Sequence, residues 1–224
     1  MIKELHEKGL DVLFKSMEPA DNGAQATIRN ISLKHRTTLD YILKEGDDYT
    51  YDNALILEDT DEHKSKNLDF LYQEWEDWKN GVKRGGSHSQ WKYPEIWEGK
   101  FNDYCYSDRL GPRYLYQQME NIKNNPESRQ NFLSIWTKDD EGKSIVPCTI
   151  GYNIQIVDGK VYASFIYRSI EIVHNFVNDL WLNRQYLIEV CKELEIPTDT
   201  EIDITYFIMN AHSYAKPWSK YYKG

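Results

Sequence analysis

The sequence predicts an α+β fold, on three observations. Helix-spaced and strand-spaced apolar segments are interleaved without the regular βαβ alternation of a doubly wound sheet. Two strand-like runs, residues 149–157 and 160–167, flank Asp158-Gly159, a two-residue hairpin signal. Finally, 40% of the 224 residues are hydrophobic, enough for an ordinary core.

Taken in chain order, Ile2, Leu5, Leu10, Leu13 and Phe14 line one helix face, and Pro19 with Gly23 ends that helix. Residues 24–35 alternate as a strand. Acidic residues dominate 45–66, which predicts a solvated loop or insertion. Leu68, Leu71, Trp75 and Trp78 recur at three- and four-residue steps, so 67–78 is predicted helical. The Gly- and Ser-rich stretch 81–90 reads as a candidate lid. Residues 113–124 form a helix stopped by Asn125-Pro126, because helical backbone is disfavoured before proline. A strand over 131–136 precedes the hairpin. A long helix over 169–194 then carries Ile172, Phe176, Leu180, Leu187 and Val190 on one side. The β-rich segment 201–209 leads into Asn210-Ala211-His212-Ser213-Tyr214. No repeat or linker interrupts residues 1–224, which read as a single domain.

Composition narrows the function. A formal net charge of −9 argues against binding a nucleic-acid backbone, which needs clustered Lys and Arg. A few local Arg side chains can still hold one phosphate. Cys105, Cys148 and Cys191 are odd in number and far apart, with no metal-ligand spacing and no disulfide framework, which fits a reducing cytoplasm. The charged N-terminus lacks the apolar run of a signal peptide, and no stretch approaches the ~20 apolar residues of a membrane span. The expected location is therefore the cytoplasm, that of the host if the gene is carried by a phage.

Cys148 lies between Pro147 and the start of an apolar strand. Alone, that fits a buried structural thiol as well as a nucleophile, which needs nearby cations to lower its pKa. Arg168, at the far end of the second hairpin strand, can approach it across the sheet. The order Val146-Pro147-Cys148-Thr149, hairpin, Tyr167-Arg168-Ser169, Phe176-Val177-Asn178-Asp179 and His212-x-Tyr214 resembles the thymidylate synthase superfamily. So does Asn125-Pro126-Glu127-Ser128-Arg129. The likeness spans residues 68–214 and is densest over 125–179. Thr149 and Asp179 resemble the deoxycytidylate hydroxymethylase branch.

That resemblance implies a mixed sheet flanked by helices and a homodimer packed sheet against sheet, its sites completed across the interface. It implies a pyrimidine nucleoside monophosphate as substrate, 5,10-methylenetetrahydrofolate as co-substrate and no metal. Cys148 would attack C6 of the base, making C5 nucleophilic. Arg168 and Ser169 would grip the phosphate, with Arg129 reaching across the dimer and Arg36 as a fourth contact. His212 and Tyr214 would hold the sugar 3′-hydroxyl, and Tyr104 would line the pocket. Glu74, with Glu76 two residues away as its alternative, would order water and relay protons. Glu171 and Trp78 would contact the folate, although the family usually has Asp where Glu171 stands and a second Arg where Gln130 stands.

Asp179 sets the branch. An asparagine can accept from uracil N3–H and donate to O4, because an amide offers both functions. Cytosine presents the opposite pattern, and a carboxylate accepts from its exocyclic amine. Asn178, one residue earlier, stays open as the base reader and would restore a uracil preference. The expected activity is hydroxymethylation of dCMP. The alternatives are a divergent thymidylate synthase or dUMP hydroxymethylase, a CMP hydroxymethylase, or an idle nucleotide-binding protein on the same fold.

Overall fold

A computed structural model describes residues 1–16, 26–53, 61–82, 106–143, 146–173 and 175–213. Its elements are α1 (Ile2–Ser16), β1 (Ala26–Thr38), α2 (Leu39–Lys44), α3 (Asp48–Asn53), α4 (Asp61–Asn80), α5 (Tyr106–Leu110) and α6 (Pro112–Asn124). There follow β2 (Phe132–Ser134), a 3-10 turn (Lys138–Asp140), β3 (Thr149–Val157), β4 (Lys160–Glu171), α7 (Asn175–Glu193) and β5 (Glu201–Ser213). The five strands form one sheet in the order β1-β5-β4-β3-β2. Only β4–β5 is parallel, which makes the sheet mixed. A parallel pair cannot be joined by a tight turn, and α7 is the crossover that joins it.

The hairpin forms where the sequence predicts it. Asp158 and Gly159 both have positive φ, 51° and 75°, as the turn matching strand twist requires, and Val157 pairs with Lys160 to close it. Strand β5 shows how the sheet acquires two faces. Ile202, Ile204, Tyr206 and Ile208 alternate inward, while Phe207 and Met209 point outward, 45% and 46% exposed. On the inner face Phe165 stacks on Tyr206 at 5.0 Å, and Tyr152 meets Phe165 edge-on at 4.9 Å. Phe176, Leu180 and Leu187 of α7 are buried in the same core. Among the described residues, no helix is long and apolar enough to cross a membrane.

Two segments differ from their sequence expectations. The acidic stretch 45–66 contains α3 and the start of α4, and several of its acids anchor neighbours instead of facing water. Asp47 accepts from Trp181 Nε1 at 2.8 Å and from the Tyr72 hydroxyl; Glu45 Oε1 accepts from the backbone N–H of Ile2 at 2.9 Å. Buried Arg184 donates to the carbonyls of Ile42 (3.0 Å) and Glu45. The helix expected from residue 169 starts at Asn175 instead. Residues 169–171 remain in β4, because Ser169, Ile170 and Glu171 pair with Asn210, Ala211 and His212 of β5. The Glu171 carboxylate then accepts from the backbone N–H of Val173 (3.2 Å) and Asn175 (3.1 Å), which fixes where α7 begins. The candidate lid lies outside the described residues from position 83 onward.

Arg109 of α5 clamps Asp140 with two bonds of 2.6 and 2.8 Å and also donates to the Ile135 carbonyl at 2.8 Å. This fork holds the buried Asp140 carboxyl down at about 2, with the Thr137 backbone N–H assisting. A depressed carboxylate contributes stability above its unfolded pKa, and that contribution is lost as pH falls through the folded value. Asp140→Asn should therefore cost about 2–3 kcal/mol in urea unfolding at pH 7. The gap to wild type should narrow between pH 4 and pH 2; a gap independent of pH would refute this account.

Candidate active site

Cys148 enters β3 immediately before an irregularity in the sheet. The β3–β4 register shifts between Thr149 and Gly151, and such bulges re-aim the residues beside them. Gly151 is required there: a Cβ would lie 2.4 Å from the Phe132 ring and 2.5 Å from the Leu133 carbonyl. The backbone N–H of Arg168 donates to the Cys148 carbonyl at 2.8 Å, locking the ends of the two strands together. The Arg168 guanidinium lies 6.0 Å over the Trp136 ring and 3.5 Å from the Pro147 carbonyl. Asn210 Nδ2 donates to the Arg168 carbonyl at 3.1 Å. Next along the strand, Ser169 Oγ lies 3.3 Å from His212 Nδ1.

Asp179 reaches this group from α7. Burial alone pushes its carboxyl up to about 7. The Cys148 side chain reaches solvent, yet the protein wrapped around it raises the thiol to about 11. The negative charge of Asp179 adds to that rise and Arg168 opposes it, so the cysteine lies within the fields of both. His212 is lowered, chiefly by burial; Glu171 across the β4–β5 pair raises it and Arg168 lowers it further. A neutral imidazole suits a hydroxyl partner. Asn178 Oδ1 accepts from Asn67 Nδ2 of α4 at 3.2 Å, so the amide is engaged with a helix while Asp179 acts on the sheet.

Other predicted residues lie apart from this group. Arg36 sits toward the far end of β1, paired in register with Asp203 and bonded to it at 2.6 and 3.2 Å. Along β5 that is roughly 20 Å from Asn210, so Arg36 does not join Arg168 within one chain. Arg129 is exposed in the turn before β2; Gln155 Nε2 ties that turn to the sheet through the carbonyls of Glu127 (3.0 Å) and Ser128 (3.2 Å). Glu74 is buried and accepts from Trp78 Nε1 at 3.0 Å within α4. Trp78 is 3% exposed, packed on Trp75 and Tyr106. With Trp78 enclosed and the Glu171 carboxylate on backbone amides, neither residue presents a surface for a pterin in this structure. Tyr104 and Tyr214 lie outside the described residues.

Trp136 and Asn210 were not singled out by the sequence, although Asn210 left a signal. It breaks the apolar series Ile202, Ile204, Tyr206, Ile208 with a polar residue at the next inward position. Trp136 left none, because its place beside Arg168 depends on where the strand ends.

A family model for thymidylate synthase matches residues 55–220. The crystal structure of thymidylate synthase from T4 phage aligns with a TM-score of 0.60 at 14% identity, covering 95% of this chain and 76% of that one. At that identity the structural likeness is one of fold. The family match runs through most of the chain and includes the Cys148 loop, the Arg168 strand and the Asp179 helix, so the protein belongs to the thymidylate synthase family.

Proposed function

We propose that the protein is a hydroxymethyltransferase that builds a hydroxymethyl group on C5 of dCMP. The one-carbon unit comes from 5,10-methylenetetrahydrofolate, the donor of the family, water supplies the hydroxyl, and the C5 proton and tetrahydrofolate leave. Cys148 adds to C6 and turns C5 into a nucleophilic carbon. Arg168 and Ser169 hold the phosphate, and neutral His212 takes a sugar hydroxyl. Asp179 accepts from the exocyclic amine and supports protonation at N3. The carrying observation is Asp179 itself, a half-buried carboxyl raised by desolvation alone and close enough for its charge to act on the Cys148 thiol. Incubation with the folate and CMP, dCMP, UMP or dUMP, followed by mass analysis, tests this. A gain of CH2O on dCMP is expected; a methyl gain on dUMP with release of dihydrofolate would overturn it.

One observation favours a second reading. A carboxyl titrating near 7 is half protonated at neutral pH, and the protonated form offers a donor and an acceptor together, as an amide does. Such a group can read uracil, which would make dUMP the substrate, increasingly so as pH falls. The same four-nucleotide assay, repeated at pH 6 and 8, separates the two.

The open face of the sheet supports a homodimer. Phe132, Tyr162, Phe207 and Met209 are all exposed on it, and a second copy would cover them. Arg129, in the turn tied to the sheet edge, is the residue such a pairing would carry toward the partner's phosphate. Phe207→Glu should weaken the dimer about 100-fold, since two buried phenyl rings are lost per dimer. It should lower activity in parallel. Light scattering that shows an unchanged dimer would exclude this face.

A further inference from the structure

Trp136 lies just beyond β2, where the sheet departs from regular pairing. The Ile150 carbonyl accepts from the backbone N–H of Ile135 at 2.9 Å and from that of Trp136 at 3.0 Å. Two residues set against one is the pattern of a bulge, and it falls where β3 also shifts register against β4. Ile135 stays in the core, while Trp136 is half-buried with the Arg168 guanidinium 6.0 Å over its ring.

One ion pair holds the backbone on either side of Trp136. Arg109 Nη1 donates to the Ile135 carbonyl at 2.8 Å, and its two Nη groups bond the Asp140 carboxylate at 2.6 and 2.8 Å. Asp140 Oδ2 in turn accepts from the Thr137 backbone N–H at 2.8 Å and from the Thr137 hydroxyl at 3.2 Å. The Trp136 carbonyl itself accepts from Ser134 Oγ at 2.6 Å. Asp140 is buried, and a bidentate fork onto a buried carboxylate fixes orientation as well as distance. The peptide groups before and after Trp136 are thus pinned, which leaves the ring only its own side-chain torsions.

Arg168 meets this fixed ring with its face and the Pro147 carbonyl with Nε, at 3.5 Å. The edge that carries both Nη groups is then the one offered to a ligand. A loose arginine loses much rotamer entropy when it grips a phosphate, and one already laid against an aromatic face loses less. We propose that Trp136 is a positioning residue for Arg168: the Arg109–Asp140 pair sets the backbone around Trp136, and its ring lays out the guanidinium for the nucleotide phosphate. This rests on the assignment of Arg168 to that phosphate. Arg109 and Asp140 act on the nucleotide through Trp136 alone.

The test uses the full chain and two readouts. The NMR resonance of the Arg168 Nε–H, assigned by its loss in Arg168→Lys, reports the guanidinium without substrate. Calorimetry with dCMP and with dUMP reports the grip on phosphate, whichever base is preferred. An aromatic face displaces the resonance upfield, so Trp136→Leu should abolish that displacement and Trp136→Tyr should leave it part-way. Asp140→Asn keeps the ring but frees its backbone, and should move the resonance too. Trp136→Leu should weaken both nucleotides roughly fivefold, as loss of a cation–π contact does. In an Arg168→Ala background the same change should weaken them no further, because Trp136 acts through Arg168. An unmoved resonance in Trp136→Leu or in Asp140→Asn overturns the proposal, as does an equal loss of affinity with and without Arg168. Trp136→Tyr and Arg109→Lys, whose single ammonium cannot form the fork, stand in for either variant that fails to fold. A resonance that moves in both variants of a protein that binds neither nucleotide upholds the clamp and removes the phosphate assignment instead.

Discussion

The Cys148→Ser protein is expected to release no tritium from C5 of labelled dCMP above background, with its fold intact. Release at C5 needs only reversible addition at C6, so the assay isolates the nucleophile from one-carbon transfer. Serine keeps the size of the side chain but its hydroxyl is far less readily ionised than a thiol, and an unactivated hydroxyl is a poor nucleophile. A loss on the order of 10³-fold or more follows when a covalent nucleophile is removed. Stability should hardly change, because Cys148 is exposed and its structural tie to Arg168 runs through its own backbone carbonyl. The thiol, held at about 11 by burial and by Asp179, is protonated in the resting enzyme. On the proposed mechanism its activation comes with substrate, as the charge on Asp179 is engaged by the base. Iodoacetamide labelling should show this as slow alkylation at pH 8. Full exchange in Cys148→Ser would mean that another group, or none, attacks the ring.

The pairing of Cys148 with Arg168 was legible because a tight hairpin fixes its own register. Once Asp158-Gly159 closes the turn, counting outward brings Arg168 against Thr149, one residue from the cysteine, and the register shift between Thr149 and Gly151 then sets Thr149 against Tyr167 and Arg168 beside Cys148. Arg36 was not legible in the same way. Its position depends on how β1 meets β5, a pairing between segments at opposite ends of the chain that no local pattern announces. The helix expected from residue 169 failed for a related reason. The apolar spacing of Ile172, Phe176 and Leu180 suits a helix, but Ser169 to Glu171 are claimed by β5 first. Asp179 was visible as a residue, yet its environment was not. Tyr152, Tyr167 and Tyr206 lie on three separate strands, and it takes both the β3–β4 hairpin and the parallel β4–β5 pairing to bury them side by side.

Replacing Asp179 by asparagine should make the protein more stable and less able to handle cytosine. The Asp179 carboxyl titrates near 7 in the fold and near its usual 3.8 when unfolded. An acid whose folded pKa is raised costs nothing at low pH, where both states are protonated. The cost grows as pH rises through 3.8 and is complete above 7. Three pH units correspond to about 4 kcal/mol at pH 8. Asparagine carries no such charge, so the variant should unfold at higher urea than wild type at pH 8. The two should converge at pH 4. Loss of the same charge should lower the Cys148 pKa and quicken its alkylation at pH 8 by severalfold, because Asp179 is one of the two influences raising it. Base preference should turn over with it, dCMP exchange falling and dUMP exchange rising, since the amide both accepts and donates. These three effects share one cause, a charge kept in a place where it destabilises the fold and deactivates the thiol. Equal stability of the two proteins at pH 8, or an unchanged ratio of dCMP to dUMP exchange, would show that Asp179 neither bears that charge nor reads the base.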